Sequence, residues 1–148
     1  MSQYSTLNFY IIAVKDGVTT RDIKEAIKKA ASISRSARVL QGCSVSVIRN
    51  ESTGHNFLMI EDCDFFDKWN DFDVLLEALS PYLEKAQVEF VAEDGSLYGY
   101  KLENGQVRAL YGRYLTMDEV ILLNSIRKYD IIRRIVEEVH QFLESNDL

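Results

Sequence analysis

The sequence contains few of the residues that interrupt secondary structure or bind metals. It has one proline, seven glycines, two histidines and two cysteines in 148 residues. So few prolines and glycines argue against disorder and long linkers. Two cysteines with no disulfide framework are typical of reduced thiols in the cytoplasm. No metal site is predicted, because neither histidine stands at zinc-ligand spacing from a cysteine.

Several signals that define large functional classes are also absent. No apolar run approaches the roughly 20 residues that a membrane-spanning helix needs. The first residues, Met-Ser-Gln-Tyr-Ser-Thr, lack the basic and apolar regions of a secretion signal. We therefore expect a cytoplasmic protein that makes no membrane contact.

The common catalytic and cofactor-binding motifs are missing as well. The sequence has no phosphate-binding loop, no dinucleotide glycine fingerprint and no Gly-x-Ser-x-Gly nucleophile elbow. No cofactor is predicted. The sequence argues against an enzyme without deciding the question.

Two turn signals dominate the second half of the chain. Asp94-Gly95 and Asn104-Gly105 each lie between apolar-rich runs, which favours tight hairpins. They predict a three-stranded antiparallel meander of Val88–Glu93, Ser96–Glu103 and Gln106–Tyr114. With two-residue loops, Glu93 pairs with Ser96 and Glu103 with Gln106. This register places one set of side chains on a common face: Val91, Tyr98, Tyr100, Leu102, Val107, Ala109 and Tyr111.

The remaining patterns complete an α+β fold. Apolar residues from Leu7 to Val14 predict a central strand, and Thr19 caps a helix whose buried stripe is Ile23, Ala26, Ile27 and Ala30. Two further strands, Val39–Arg49 and Phe57–Ile60, bring Cys43 near Cys63. A short helix follows from Val74 to about Leu83. A helical pattern then runs to about Leu143, either as one helix or as two that meet at Tyr129-Asp130.

The predicted architecture is a single α+β domain covering residues 1–148. Its elements follow the order β-α-β-β-α-β-β-β-α, and its strands form one mixed or antiparallel sheet. The sheet ends in the C-terminal meander. We expect the long C-terminal helical region to pack on one face of the sheet.

Charge is unevenly distributed along this acidic chain. The net charge is −6, but residues 1–50 carry +5 and residues 51–104 carry −10. A strongly acidic middle region attracts a basic protein partner by electrostatic steering. The same acidity makes nucleic-acid binding unfavourable for the molecule as a whole, because phosphate contacts need a positive surface.

The segment from Glu61 to Asp73 has the most unusual composition, with six acids and four aromatic residues. One interpretation is a loop with buried aromatics and solvated acids. The alternative is a recognition loop in which Trp69 or Phe66 is an anchor inside an acidic rim of Asp64, Asp67 and Asp71. This second interpretation predicts a small acidic protein-binding module, such as an inhibitor or immunity-type protein that masks a basic partner.

Three alternatives remain open. Tyr98, Tyr100 and Tyr111 could line a cup that makes the protein a small-ligand sensor or an enzyme. Arg21, Lys24, Lys28 and Lys29 form a basic helix face that could contact nucleic acid. The C-terminal helix carries more apolar surface than one sheet face needs, which is compatible either with burial inside the monomer or with a homodimer.

Overall fold

The computed structural model describes residues 3–112 and 117–145. The chain divides into two compact units, Met1–Arg113 and Tyr114–Leu148. Among the described residues, the strands all lie in the first unit, and the C-terminal helix lies in the second. The interpretation of the whole chain as a single domain stays a prediction.

The first unit contains one antiparallel sheet and three α-helices, which confirms the predicted α+β class. Its sheet has seven strands in the order β2-β3-β1-β5-β6-β7, and the short β4 pairs with β1. The elements in chain order are β1 (Tyr4–Val14), α1 (Thr20–Ala30), α2 (Arg35–Gln41), β2 (Ser44–Arg49), β3 (Asn56–Glu61), β4 (Phe66–Asp67), α3 (Phe72–Leu79), a 3-10 turn (Ser80–Tyr82), β5 (Leu83–Ala92), β6 (Leu97–Glu103) and β7 (Gln106–Gly112).

Helix α1 forms as its sequence predicts. The backbone N–H of Asp22 donates to the Thr19 hydroxyl at 3.2 Å, and the Thr19 N–H donates to the Asp22 carboxylate at 2.9 Å. This reciprocal capping box satisfies two backbone donors that the first helical turn leaves free. The buried side chains are Ile23, Ala26, Ile27 and Ala30, which confirms the predicted stripe.

Helix α2 replaces the start of the strand predicted from Val39 to Arg49, so that prediction is wrong for its first residues. Ser34 caps this helix by accepting a hydrogen bond from the Ala37 N–H, and the strand begins only at Ser44. A second cap comes from Asp71, which is distant in sequence. Local alternation of apolar residues therefore could not reveal the helix.

One of the two predicted hairpin registers is confirmed and the other is wrong. Glu103 pairs with Gln106 and Tyr98 pairs with Tyr111, as the Asn104-Gly105 turn predicts. At Asp94-Gly95 the loop has three residues instead of two, because the Ala92 N–H donates to the Ser96 carbonyl. Phe90 therefore pairs with Tyr98, and Val91 pairs with Leu97.

This one-residue shift decides which side chains form the core. Phe90, Val88 and Ala86 share the buried sheet face with Tyr98, Tyr100 and Leu102, whereas Val91 lies on the opposite face. Helices α1, α2 and α3 pack against one another and against residues of the buried face. Phe9 and Ile11 of β1 are partly exposed on the other face.

The described residues of the second unit form one continuous helix, α4 (Met117–Ser145), of 29 residues. The predicted long C-terminal helix is confirmed, and the alternative of a break at Tyr129-Asp130 is wrong. Its predicted packing on the sheet stays a prediction. The predicted end of the third meander strand at Tyr114 lies outside the described residues. Within residues 3–112 and 117–145, no helix is both long and apolar enough to cross a membrane.

Candidate partner-binding site

The acidic segment after β3 begins as a surface turn and then enters the sheet. Asp62 adopts a left-handed backbone conformation with φ of 54°, and Asp64 and Phe65 are exposed. Phe66 and Asp67 then form β4, where Phe66 pairs with Ser5 of β1. The segment is therefore anchored in the middle by β4, and it is exposed on either side of this strand at Asp64, Phe65 and Trp69.

The structure places Phe66 in the core and so removes it from the predicted anchors. Its side chain has no exposed surface. Its ring packs edge-on against Phe72 at 5.9 Å and against Phe90 at 5.2 Å, measured between ring centroids. Edge-to-face pairs at such distances stabilise a core beyond simple burial of area. A side chain committed in this way is not available to a partner.

Trp69 is one of the two aromatic residues, with Phe65, that this segment exposes at the surface. Its side chain is 49% exposed, and its backbone has φ of 55°, a left-handed conformation that bulky residues rarely adopt. One neighbour is Tyr98, with 4.5 Å between ring centroids, and another is Tyr111 at 6.1 Å. The Lys68 ammonium lies 5.7 Å from the indole centroid. The indole is therefore fixed in place and still open to solvent.

The hydrogen bonds of Asn70 hold the strained backbone of Trp69 in place. Its side-chain amide donates to the Tyr98 hydroxyl at 2.9 Å and accepts from the Phe72 N–H at 3.0 Å. The Tyr100 hydroxyl donates to the Asn70 carbonyl, and the Tyr98 hydroxyl donates to the Ser5 hydroxyl at 2.8 Å. Strained conformations persist only where the surroundings over-determine them, and they concentrate at functional sites.

Asp71 connects the segment to helix α2. Its carboxylate accepts hydrogen bonds from the Ser34 hydroxyl at 3.1 Å, the Arg35 N–H at 3.0 Å and the Ser36 N–H at 2.9 Å. Partial burial alone would raise the pKa of Asp71, but the hydrogen bonds from Ser36, Arg35 and Ser34 hold that pKa below its ordinary value. This carboxylate is committed to the fold, which corrects its predicted place in a partner-binding rim.

Asp64 and Asp67 remain as exposed acids beside the aromatic groups. Asp64 makes no ion pair with any residue in the described part of the chain. Asp67 lies 3.7 Å from the Arg35 guanidinium in an exposed pair, and such pairs contribute little to stability. Lys68 is paired instead with Asp94 and donates to the Gln3 side-chain oxygen at 2.8 Å. Both carboxylates can therefore face a partner.

Trp69 stands between two open grooves. The first has a volume of about 320 Å³ and is lined on one side by α2 and on the other by the acidic segment, with Arg35, Val39, Phe65, Asp67 and Trp69 among its residues. The second has a volume of about 440 Å³ and is lined by Trp69, Asp73, Tyr98, Tyr100, Leu110 and Tyr111. Phe65 is 63% exposed and Tyr111 is 78% exposed, so three aromatic side chains reach this surface.

The three tyrosines of the predicted cup do line the second groove together, but they are not equivalent. Tyr98 and Tyr100 are buried, and their hydroxyls are already hydrogen-bonded to Ser5 and to the Asn70 carbonyl. Burial raises the pKa of both hydroxyls. Only Tyr111 presents a free ring to solvent. The groove therefore offers aromatic walls, whereas two of its three hydroxyls are used inside the protein.

The basic residues predicted for nucleic-acid contact all lie on the exposed face of α1. Arg21 pairs with Glu25 at 3.1 Å, and Lys24 and Lys28 line a separate groove of about 260 Å³ that also contains Cys43. Lys29 is exposed near the end of the helix. Among the described residues, no group of three or more His, Cys, Asp or Glu side chains is placed to hold a metal ion.

Sequence reasoning missed three residues of this site. Asn70 holds the backbone beside Trp69, and Ser34 connects helix α2 to Asp71. Phe65, and not the predicted Phe66, exposes its ring to solvent. The Ser-Arg-Ser run at Ser34 is a capping signal that could have been found. No local signal separates Phe65 from Phe66. Adjacent side chains of an extended chain point to opposite sides, so one of the two faces the core, and the local sequence does not determine which.

No protein-family model, no curated protein and no solved structure matches this chain. We therefore infer the function from the geometry of the molecule.

Proposed function

We propose that the protein is a small acidic binding module that holds a basic protein partner through the surface around Trp69. An inhibitor or immunity-type protein that masks a basic target would act in this way. We also propose that the protein acts in the cytoplasm, as its sequence predicts. The observation that carries it is the strained and half-exposed Trp69, which the buried Asn70–Tyr98 hydrogen bond fixes in place.

The composition of the surface supports this choice. Tryptophan and tyrosine are the residues most enriched among binding hot spots, where a few anchors carry most of the affinity. Phe65, Trp69 and Tyr111 provide three exposed rings in one region. A preorganised ring loses little conformational freedom on binding, so more of its contact energy appears as affinity.

Charge supports a basic partner. Residues 51–104 carry a net charge of −10, and Asp64 and Asp67 contribute exposed carboxylates next to the rings. Complementary charge accelerates encounter with a basic protein and weakens as salt increases. The partner's arginine or lysine side chains would lie against the carboxylates while its apolar side chains contact the rings.

Affinity capture from the source cell with matched variants tests the proposal. Trp69→Ala should remove the anchor, and the double variant Asp64→Asn, Asp67→Asn should reduce the charge by two at the site. Ile11→Ala controls for loss of an exposed apolar side chain elsewhere, because Ile11 is 45% exposed on the opposite face of the sheet. Glu51→Gln with Glu84→Gln controls for the same change in net charge at distant exposed positions.

Support requires one basic protein that wild type and both controls retain and that Trp69→Ala loses. With that protein purified, Trp69→Ala should weaken binding by about 30-fold or more, which corresponds to a hot spot of about 2 kcal/mol. Because the chain contains a single tryptophan, binding should also change its fluorescence. Equal affinity of wild type and Trp69→Ala for every captured partner would refute the proposal.

Helix α4 supports a second role, self-association. We infer that two copies pair through this helix, which would be about 43 Å long. Leu122, Tyr129, Val136 and Leu143 recur every seven residues, and Ile132 and Val139 follow at the intervening coiled-coil positions. A single helix cannot bury its own apolar stripe, so pairing with the same stripe of a second copy would remove it from water.

Neighbouring isoleucines provide a matched test of this pairing. Ile132 belongs to the heptad stripe, and Ile131 lies outside it. Sedimentation equilibrium should give a dimer for wild type and for Ile131→Glu, and a monomer for Ile132→Glu. Wild type that remains monomeric at the highest measurable concentration would exclude the dimer.

A further inference from the structure

The only two cysteines of the chain meet at the end of the β2–β3 hairpin. Their Sγ atoms lie 2.9 Å apart, and both side chains are partly buried as free thiols. The separation is about 0.9 Å longer than a covalent S–S bond, which measures about 2.0 Å. Small side-chain rotations would therefore be enough to join the two sulfur atoms.

The backbone makes this encounter a specific feature of the hairpin. Ser44 pairs with Glu61 at the end of the ladder, so a regular continuation would place Asp62 opposite Cys43. Asp62 instead adopts the left-handed conformation with φ of 54°. The Sγ atom of Cys63 lies against Cys43 after this turn, which confirms the proximity expected from the sequence and gives it a structural cause.

We propose that Cys43 and Cys63 form a reversible disulfide and constitute a redox-modification site. The bond would tie the end of α2 to the segment that leads to Trp69. The inference rests on the geometry of the two thiols, so it holds or fails independently of the proposed partner.

The oxidant required is a peroxide, and the reaction balances in two steps. The Cys43 sulfur attacks one oxygen of hydrogen peroxide as its thiol loses a proton, and the released hydroxide takes up that proton to give water and a sulfenic acid on Cys43. The Cys63 sulfur then attacks the Cys43 sulfur, and the hydroxyl leaves with the Cys63 proton as a second water. Two electrons pass from the thiols to the peroxide. A dithiol such as dithiothreitol reverses the bond by thiol–disulfide exchange.

The surroundings assign different roles to the two cysteines. Cys43 lines the open groove of about 260 Å³ beside Lys24 and Lys28, through which a small oxidant can reach it. Burial, followed by the contact with Cys43, raises the pKa of Cys63. A protonated thiol reacts slowly with free peroxide, so Cys63 does not fit the first step. It fits the second step, because the Cys43 sulfur that it attacks is already in contact with it.

The bond would connect the two walls of the first groove beside Trp69. Helix α2 ends two residues before Cys43 and contributes Arg35 and Val39 to one wall, while the segment that follows Cys63 contributes Phe65 and Trp69 to the other. In the reduced protein these walls are joined by the hydrogen bonds of Asp71 to the start of α2. A disulfide would add a covalent connection at the other end of the same helix.

Intact-mass analysis of the wild-type protein tests bond formation directly. With one equivalent of hydrogen peroxide, the mass should fall by about 2 Da as two hydrogens leave, and iodoacetamide should no longer label either cysteine. Dithiothreitol should restore both labels. Gain of about 16 or 32 Da without loss of both labels, or a covalent dimer on a non-reducing gel, would overturn the proposal.

Two further measurements test the pairing and its effect. Cys43→Ser and Cys63→Ser should each abolish the loss of about 2 Da. The oxidised wild type should melt about 5–10 °C higher than the reduced form, because the bond restricts the unfolded chain. Amide hydrogen exchange should slow in α2 and in residues 61–73. Unchanged exchange in both elements would disprove the connection between the groove walls.

Discussion

Phe66 and Trp69 lie three residues apart in the same acidic segment, and their surroundings are opposite. Phe66 is fully buried between Phe72 and Phe90, whereas Trp69 is half exposed and rests on Tyr98. The segment therefore performs two tasks. One aromatic side chain anchors it to the core, and the anchored backbone then holds another at the surface. Substitutions at the two positions should separate stability from binding.

The largest effect is expected for Phe66→Ala. Removing a fully buried ring forfeits its transfer free energy and leaves a cavity beside Phe72 and Phe90, which should lower the free energy of unfolding by about 3–5 kcal/mol. Urea denaturation measures this change.

The adjacent phenylalanine provides the control for that substitution. Phe65 is 63% exposed, so Phe65→Ala should change the free energy of unfolding by less than about 0.5 kcal/mol. Similar losses at both positions would contradict the division between a core ring and a surface ring.

The next effect concerns the side chain that links the two aromatic positions. Asn70→Ala removes the hydrogen bonds to the Tyr98 hydroxyl and to the Phe72 N–H, and both groups are buried. The expected loss is about 2 kcal/mol in the free energy of unfolding. Fluorescence of Trp69 should change as well, because its backbone is no longer held.

A double-mutant cycle distinguishes this network from general destabilisation. Tyr98→Phe removes the hydroxyl that Asn70 contacts, so the two substitutions share one hydrogen bond. Their combined loss should be smaller than the sum of the separate losses by about 1 kcal/mol. If the two losses of stability are strictly additive, the hydrogen bond between Asn70 and Tyr98 does not support Trp69.

The fold features that follow from local physics could be predicted from the sequence. The capping box at Thr19, the stripe of α1 and the Asn104-Gly105 hairpin need only neighbouring residues, and each is confirmed. The predicted register of the Asp94-Gly95 hairpin is wrong by one residue, because the same dipeptide fits both a two-residue loop and a three-residue loop with glycine in the left-handed position. That choice depends on how the buried face packs.

The site was only partly predictable for a similar reason. Composition identifies the segment from Glu61 to Asp73, but the pairing of Phe66 with Ser5 selects which phenylalanine faces inward. Helix α2 receives its second cap from Asp71, which is 35 residues from Ser36. Partners so distant in sequence leave no periodic pattern, so the loss of Asp71 from the rim could not be read locally. For helix α2, the local signal in the sequence is the cap at Ser34.

Asp71 should give a smaller and pH-dependent effect. Its pKa is lower in the folded protein than its ordinary value, so its contribution to stability is present at neutral pH and decreases as the pH falls below about 4. Asp71→Asn should cost about 1 kcal/mol at pH 7, as the loss of a helix cap does. The difference between wild type and variant should shrink in urea titrations at pH 3. A constant difference would exclude the carboxylate as its cause.

Apart from the Phe65→Ala control, the smallest change in the free energy of unfolding is expected at Trp69 itself. The relative stability of its glycine and alanine variants tests whether the backbone there is strained. Glycine adopts the left-handed conformation at 69 without strain, whereas alanine retains a penalty of about 1 kcal/mol. Trp69→Gly should therefore be more stable than Trp69→Ala and should fall within about 1 kcal/mol of wild type, since relief of strain offsets the lost contact with Tyr98. Both variants should lose the partner equally. If alanine proves the more stable replacement in urea denaturation, Trp69 is not strained, and its exposure needs another explanation.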